Sequence, residues 1–180
     1  MQKKLTILCL MMIVIPFLFP TLAGAERCIS VLPDTTVVGL GMQFSLEVVV
    51  NDTVKSLMGY DVTVQFDRSF LEVVSVREGA LLRDSGHTTF FYWVNQACGC
   101  DFIIVNGSIL GDVVDGPGAL FKITFKSIKF GTIPVSIHES DIRNDQNQSL
   151  IHRTQNGVVI IEPPIGTENS SWSRAKNLYR

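Results

Sequence analysis

The sequence has 180 residues, of which 46% are hydrophobic and 18% are charged, and its formal net charge at pH 7 is −2. A chain of this length supports one globular core. Its nearly neutral, slightly acidic balance provides no attraction for nucleic-acid phosphates or anionic lipid, so we expect neither as a partner.

The first 25 residues have the pattern of a secretory signal peptide. Two lysines precede a mostly apolar stretch over residues 5–19, and the small residues Ala23, Gly24 and Ala25 follow it. This order is typical of a signal peptide with an A-x-A cleavage site. The apolar stretch is shorter than the roughly 20 residues that a membrane span needs. We therefore expect a secreted product that begins at Glu26, with no membrane insertion after cleavage.

Three cysteines, Cys28, Cys98 and Cys100, remain after this cleavage. An odd number in an exported chain leaves at least one thiol free or paired between molecules. Cys98 and Cys100 lack the nearby histidine or second cysteine pair of a structural zinc site. We interpret the cysteines as structural or incidental and expect no metal and no cofactor.

Short apolar segments fill the chain between residues 28 and 161. They are rich in Val, Ile, Phe and Thr, and Gly, Asn, Asp and Pro separate them at about the 8–12 residue spacing of a sandwich or barrel. No segment has a sustained 3.6-residue period. The pattern predicts one all-β domain over residues 26–162. The main predicted strands are 44–50, 60–66, 71–76, 90–95, 102–105, 120–125, 133–137 and 158–161.

Alternation within two segments predicts which side chains are buried, because successive side chains of a strand point to opposite faces. In residues 59–66 the predicted core positions are Tyr60, Val62, Val64 and Phe66. The opposite set is Asp61, Thr63 and Gln65. In residues 133–137 the isoleucines and valine alternate with Pro134, which cannot donate to a ladder. This proline predicts that the strand lies at a sheet edge.

The polar segments predict neither catalysis nor metal binding. His87, His138 and His152 are far apart and belong to no nucleophile or zinc motif, so we expect exposed polar side chains and no enzyme activity. Residues 141–147 are rich in oxygen ligands but lack the glycine and closing glutamate of an EF-hand, so a polar turn is favoured over a calcium site. Residues 163–180 carry no apolar period and predict a disordered polar tail.

The sequence resembles the cohesin domain family. The resemblance rests on GYDVTVQFD at residues 59–67, FLEVVSV at 70–76, GALL at 79–82, GPGALFKITF at 116–125, GT at 131–132 and NGVVII at 156–161. It implies a nine-stranded jelly-roll sandwich, related to some bacterial carbohydrate-binding modules. It also implies an extracellular receptor for dockerins, the small calcium-binding modules that attach polysaccharide-degrading enzymes to a scaffold.

Two alternatives to dockerin recognition stay open at this point. One is direct polysaccharide binding, which needs a row of outward aromatic rings on which sugars stack. The other is a passive structural domain of an envelope or appendage. A protein-binding site instead needs a mixed apolar and polar surface with an aromatic anchor.

The resemblance also implies a location for the binding face. Asp61 matches a position at which family members contact dockerin, and Thr63 and Gln65 share its face. Alignment of the segment that begins at residue 102 puts Ile103 and Val105 inside. The same alignment leaves Phe102, Ile104, Asn106 and Ser108 outside.

On the preceding segment the family pattern puts Phe90, Tyr92 and Val94 inside and Phe91, Trp93 and Asn95 on the outer face. Our hypothesis is that Phe91 and Trp93 anchor a partner beside Ile104. The hydrogen-bonding groups would be Asp61, Thr63, Gln65 and Asn106. The alternative is that a loop or the tail covers Phe91 and Trp93. The same strand order places Cys28 at the opposite end of the sandwich from Cys98 and Cys100, so no disulfide is expected between them.

We predict that export removes residues 1–25. N-terminal sequencing of the protein recovered from the culture medium of an expressing bacterium should begin at Glu26. A product that retains Met1 would contradict the prediction.

Overall fold

The described part of the chain folds into eleven β-strands and one helix of 4 residues. The structure, a computed structural model, describes residues 26–95 and 101–163. Residues 1–25 and all of the predicted tail except Pro163 lie outside the described residues. The elements are β1 (Cys28–Leu32), β2 (Thr35–Gly39), β3 (Gln43–Val50), β4 (Leu57–Gln65), β5 (Leu71–Glu78), α1 (Ala80–Arg83), β6 (Thr89–Asn95), β7 (Phe102–Ile109), β8 (Gly118–Ser127), β9 (Gly131–Asn144), β10 (Arg153–Gln155) and β11 (Gly157–Glu162).

Two sheets form the sandwich, which confirms the predicted all-β jelly roll. One sheet has the order β10-β1-β3-β8-β5 and the other has the order β2-β11-β9-β4-β7-β6. The strand count is eleven rather than the nine that the resemblance implied. Two short edge strands, β2 and β10, account for the difference, and each pairs in parallel with one neighbour. Within the described ranges, no helix is long and apolar enough to cross a membrane.

The core lies between the two sheets, and alternation within β4 and β9 and the family alignment of β7 predicted its members correctly. Tyr60, Val62 and Val64 of β4 are buried, and Phe66 directly after the strand is buried with them. The other predicted inward residues are also buried: Ile103 and Val105 of β7 and Ile133, Val135 and Ile137 of β9. The five-stranded sheet contributes Phe121 and Phe125 of β8, which are fully enclosed. These large apolar side chains exclude water from the interior and stabilise the sandwich.

Tyr60 connects the two sheets by a polar and an apolar contact. Its hydroxyl donates a hydrogen bond of 2.9 Å to the carbonyl oxygen of Leu120 on the opposite sheet. Its ring stacks on Phe121 with 5.9 Å between centroids. Burial raises the pKa of the Tyr60 hydroxyl, with a smaller contribution from the charge of Glu78, so the group remains a donor. The ring lies over Gly107, where a Cβ atom would approach the Tyr60 Cζ to 2.4 Å.

The edge position predicted for the strand that contains Pro134 is wrong. β9 lies inside the six-stranded sheet, between β11 and β4. It has 14 residues and changes its pairing along its length. β4 ends with Gln65 opposite Ser136, so the stretch that includes Pro134 pairs with β11 alone. The proline is tolerated because its segment has a ladder on one side only.

The polar turn predicted over residues 141–147 is only half correct. Its first four residues continue β9 as far as Asn144. The turn follows, and in it Asn144 accepts a 3.0 Å hydrogen bond from the backbone N–H of Asn147. Alternation explains the extension, because Ile142 is buried and its neighbours Asp141 and Arg143 point away from the core.

Cys28 lies at the end of the sandwich where β4 and β6 begin. Its carbonyl oxygen accepts a hydrogen bond from Asn51, and the adjacent Ile29 pairs with Val50 at the end of β3. Asn95 ends β6 at the opposite end of the sheet. Cys98 and Cys100 lie outside the described residues, so the expected absence of a disulfide with Cys28 stays a prediction.

We predict that Gly107→Ala destabilises the fold by about 1–3 kcal/mol, because the added methyl group overlaps the ring of Tyr60. Urea denaturation followed by tyrosine and tryptophan fluorescence measures this loss. Gly39→Ala is the matched control, since its Cβ would meet only the Cγ of Met42 at an ordinary 3.6 Å. Equal stability of the two variants would show that the ring of Tyr60 does not occupy the space over Gly107.

Candidate protein-binding face

Four adjacent strands of the six-stranded sheet, β9, β4, β7 and β6, present their outward side chains as cross-strand rows. Residues paired across neighbouring strands share a face of the sheet, so the register defines each row. The first row is Arg143, Gly59, Ser108 and Phe90. The second is Asp141, Asp61, Asn106 and Tyr92. The third is Glu139, Thr63, Ile104 and Val94. We refer to these three rows as the outer face.

The structure brings together five of the residues predicted for the binding site. Asp61 and Thr63 of β4 lie beside Ile104 and Asn106 of β7 on the outer face, and Gln65 lies on the same side of the sheet, opposite Phe102 and next to the third row. Asp61 and Gln65 are exposed, whereas Thr63 is 9% exposed between its neighbours. Their common face is confirmed; their role in binding stays a prediction.

The predicted orientation of β6 is wrong by one residue. Phe91 pairs with Gly107 and Trp93 pairs with Val105, and both partners belong to the inward face of β7. Phe91 accordingly packs against the core, and Trp93 is 36% exposed at the sheet edge. A one-residue shift in register turns every side chain of a strand to the other face.

The outward aromatic residues of β6 are therefore Phe90 and Tyr92, which are 53% and 54% exposed. The family pattern puts both of them, together with Val94, inside, and this is wrong for all three. No polar residue marks either side of the run over residues 90–94, so the sequence holds no signal that corrects the orientation. The pairing of Phe91 with inward Gly107 establishes it.

The outer face has an apolar half and an acidic half. The strands β6 and β7 contribute Phe90, Tyr92, Val94 and Ile104. The strands β9 and β4 contribute Glu139, Asp141 and Asp61 together with one cation, Arg143. Glu139, Asp141 and Arg143 were not among the predicted site residues, although the alternation around buried Ile142 indicates that Asp141 and Arg143 point outward.

The two central carboxylates have opposite electrostatic environments. A side-chain hydrogen bond from Ser149 is the largest cause that lowers the pKa of Asp141, and Arg143, whose Nε lies 2.7 Å from Oδ2, lowers it further. Asp61 faces Asp141 across the strands. Partial burial, followed by the charges of Asp141 and Glu139, raises the pKa of Asp61. Among the described residues, no cation lies within 4.0 Å of the Asp61 carboxylate.

A cavity of about 360 Å³ opens on the first two rows. Its lining includes Gly59, Asp61, Phe90, Ser108 and Arg143. Gly59 points outward in the register of β4 and has no side chain to fill the space between Arg143 and Phe90. We refer to this depression as the Gly59 notch.

The three histidines have separate local partners. His87 is 3.0 Å from the carboxylate of Asp112, and the ring of His138 lies 4.9 Å from that of Phe102. The Nε2 atom of His152 is 2.7 Å from Ser140 Oγ, so this histidine is half-buried rather than exposed as predicted. Within residues 26–95 and 101–163, no group of three His, Cys, Asp or Glu side chains is arranged to hold a metal ion.

Comparisons with known proteins agree on one family. The family model described as "Cohesin domain" matches residues 30–161. A non-cellulosomal cohesin from the archaeon Archaeoglobus fulgidus superposes with a TM-score of 0.64 and 16% identity, over 87% of this chain and 99% of that chain. The sixth cohesin of scaffoldin B from Acetivibrio cellulolyticus, solved with a mutant Cel5 dockerin, has a TM-score of 0.64 and 17% identity, over 77% and 100% of the two chains.

A type II cohesin from the cellulosome of the same bacterium has a TM-score of 0.66 and 11% identity, over 75% of this chain and 95% of that chain. At these identities the structural similarity concerns the fold. No curated protein matches the sequence.

We predict that Asp61→Asn stabilises the free protein at neutral pH. The raised pKa of Asp61 means that the folded state binds its proton more tightly than the unfolded chain does, so the ionised carboxylate lowers stability at pH 7. This cost disappears as the pH falls below about 4. Calorimetry should show a Tm increase of roughly 1–3 °C at pH 7, kept small by solvent screening, and no difference at pH 3.

Asp141→Asn is the control for this measurement, because its pKa is lowered and its ionised form stabilises the fold. It should lower the Tm at pH 7. A decrease in Tm for both variants would show that Asp61 has a cationic partner in the folded protein.

Proposed function

The chain belongs to the cohesin domain family, and we propose that it acts by binding a dockerin-type protein module through the outer face, without catalysing a reaction. The proposal is supported by the cohesins of similar fold that were solved as dockerin complexes, from Acetivibrio cellulolyticus and Clostridium thermocellum. In this chain the outer face is the surface that fits such a role.

One observation carries the proposal: a contiguous and partly exposed apolar strip borders polar and acidic side chains on the same face. Phe90 and Tyr92 each keep about half of their surface exposed, and Val94 and Ile104 adjoin them. Exposed apolar side chains that form one patch mark contact surfaces. Aromatic anchors surrounded by hydrogen-bonding groups are the usual arrangement at protein interfaces.

The geometry of the sheet favours recognition by side chains over strand addition. The strands β4 and β7, which form the centre of the face, are paired on both sides. Their backbone N–H and C=O groups are already used within the sheet, so a partner meets the pleated surface of side chains. An element with its own protruding side chains, such as a helix laid across the rows, is complementary to this surface.

A Ser–His contact elsewhere in the molecule does not favour an enzyme. Ser140 lies opposite Val62, which is fully buried, so the serine shares the inward side of β9. His152 Nδ1 also lies 2.7 Å from the carbonyl oxygen of Leu150, and the Leu150 N–H donates to the carbonyl oxygen of Ile142, which ties the segment after β9 to the strand. We interpret the pair as a structural contact that positions this segment.

We further propose that the protein acts outside the cell and that its partner links it to polysaccharide breakdown. The signal-peptide pattern of residues 1–25 supports export. The association with polysaccharide would come through the dockerin-bearing partner rather than through this chain. Direct glycan binding needs a row of stacking rings, and the outer face carries two, Phe90 and Tyr92, on one edge strand.

We predict that Tyr92→Ala and Ile104→Ala each weaken dockerin binding by about 1–3 kcal/mol, because each removes apolar contact area from the apolar half of the outer face. The full chain is measured by calorimetric titration against dockerin modules, among them those of the Acetivibrio and Clostridium complexes and any encoded in the source genome. Val74→Ala, at an exposed apolar position on β5 of the other sheet, is the control and should leave affinity unchanged.

The variant Trp93→Ala tests whether the partner contacts the outer face or the face that the sequence predicted, which included Trp93. Because Trp93 lies on the inward side of β6, its loss should reduce stability and change affinity little.

Retention of the chain on insoluble polysaccharide is measured in parallel. Retention without affinity for any dockerin would reject the proposed function in favour of a carbohydrate-binding module.

A further inference from the structure

The Gly59 notch is a cavity in the outer face, and its shape follows from two small residues. Gly59 forms its floor, and Ser108 on the neighbouring strand extends the floor toward Phe90. A Cβ atom at Gly59 would meet the Gly107 carbonyl oxygen at 3.3 Å and the Ser108 Cβ at 3.4 Å. The volume of about 360 Å³ is sufficient for a long side chain from a bound partner.

The charge within the notch is negative. Arg143, its one lining cation, donates to Asp141 at 2.7 Å and to the Asn147 backbone and side-chain oxygens at 3.2 and 3.1 Å. Its charge is therefore compensated by Asp141. Asp61 remains without an ion-pair partner among the described residues, and Glu139 adds a second negative charge nearby.

The opposite wall of the notch is aromatic. Phe90 lines the cavity and keeps 53% of its surface exposed. An aromatic face attracts a cation and also packs against the aliphatic stem of a long basic side chain. An acidic occupant would be repelled by Asp61, and a wholly apolar occupant would bury the Asp61 carboxylate without a partner, which is costly.

We propose that the Gly59 notch binds one lysine or arginine side chain of the protein partner, with the aliphatic stem on Phe90 and the charged end at Asp61. That this side chain belongs to a dockerin-type module rests on the proposed function. The chemistry of the notch rests on the geometry of Gly59, Ser108, Phe90 and Asp61. The inference thus specifies a feature of the partner: a basic residue placed to enter the notch when neighbouring apolar residues contact Tyr92 and Ile104.

The test uses small probes, so that it does not depend on the partner's identity. Nα-acetyl-arginine amide is titrated into the ¹⁵N-labelled chain, and Nα-acetyl-citrulline amide, a neutral analogue of nearly the same shape, is the control ligand. The arginine probe should give saturable shifts of the amides of Gly59, Asp61, Phe90 and Ser108. The expected dissociation constant is roughly 10–100 mM, as one ion pair and one aromatic contact provide.

Two variants test the two parts of the inference. Asp61→Asn removes the charge and should weaken the arginine probe at least about fivefold. Ser108→Leu fills the notch and should abolish the shifts. Ser75→Leu on β5, in the other sheet, is the matched control and should leave them unchanged. The dispersion of the amide spectrum verifies that each variant is folded.

The outcomes distinguish this inference from the proposed function. Equal shifts with the citrulline probe, or shifts that persist in Asp61→Asn and Ser108→Leu, overturn the inference. If a dockerin binds while its affinity is unaffected by Asp61→Asn, the inference fails and the proposed function stands. If the arginine probe binds as expected but no dockerin does, the notch chemistry stands and the proposed carrier is wrong.

Discussion

The contact between Tyr60, Gly107 and Leu120 determines which residues the protein presents to a partner. The ring of Tyr60 stacks on Phe121 and covers Gly107, and its hydroxyl bonds to the opposite sheet. With Tyr60 fixed inside, the alternation of β4 turns Asp61, Thr63 and Gln65 outward. With Gly107 fixed under the ring, β7 turns Asn106 and Ser108 outward. The polar centre of the outer face is therefore a consequence of core packing in both strands.

The same reasoning explains which parts of the structure the sequence could predict. β4 alternates apolar and polar residues, so its orientation is readable from the sequence. The orientation of β7 came from the family alignment, and together the two strands put five of the seven predicted site residues on the correct face. β6 has five consecutive apolar residues, 90–94, and only β7 beside it. No polar residue marks either face of such a strand, and the family pattern assigned its inward and outward residues the wrong way round. The error over Pro134 has another origin, because β9 changes pairing partner midway, which a local pattern does not encode.

The outer face also combines features that reduce the stability of the free protein. The carboxylates Asp61 and Asp141 face each other across two strands, and Glu139 is in the next row. Partial burial raises the pKa of Asp61, and the charges of Asp141 and Glu139 raise it further, which is a cost to the folded state at neutral pH. The exposed rings of Phe90 and Tyr92 add apolar surface in contact with water. Surfaces that keep such features commonly do so because a partner removes the cost on binding.

The apolar and acidic halves of the face have different consequences for recognition. Burial of Tyr92, Val94 and Ile104 supplies affinity that depends little on the partner's sequence. The acidic half would discriminate between partners, because a partner without a basic residue leaves the Asp61 carboxylate buried and unpaired. The core restricts the direction of these outward side chains but not their identity. Domains that share this sandwich at 11–17% identity can thus differ on this face while keeping the same fold. Under the proposed function, partner choice would depend on the residues of the three rows, and a substitution in the Gly59 notch would change the charge or shape that a basic side chain of the partner meets.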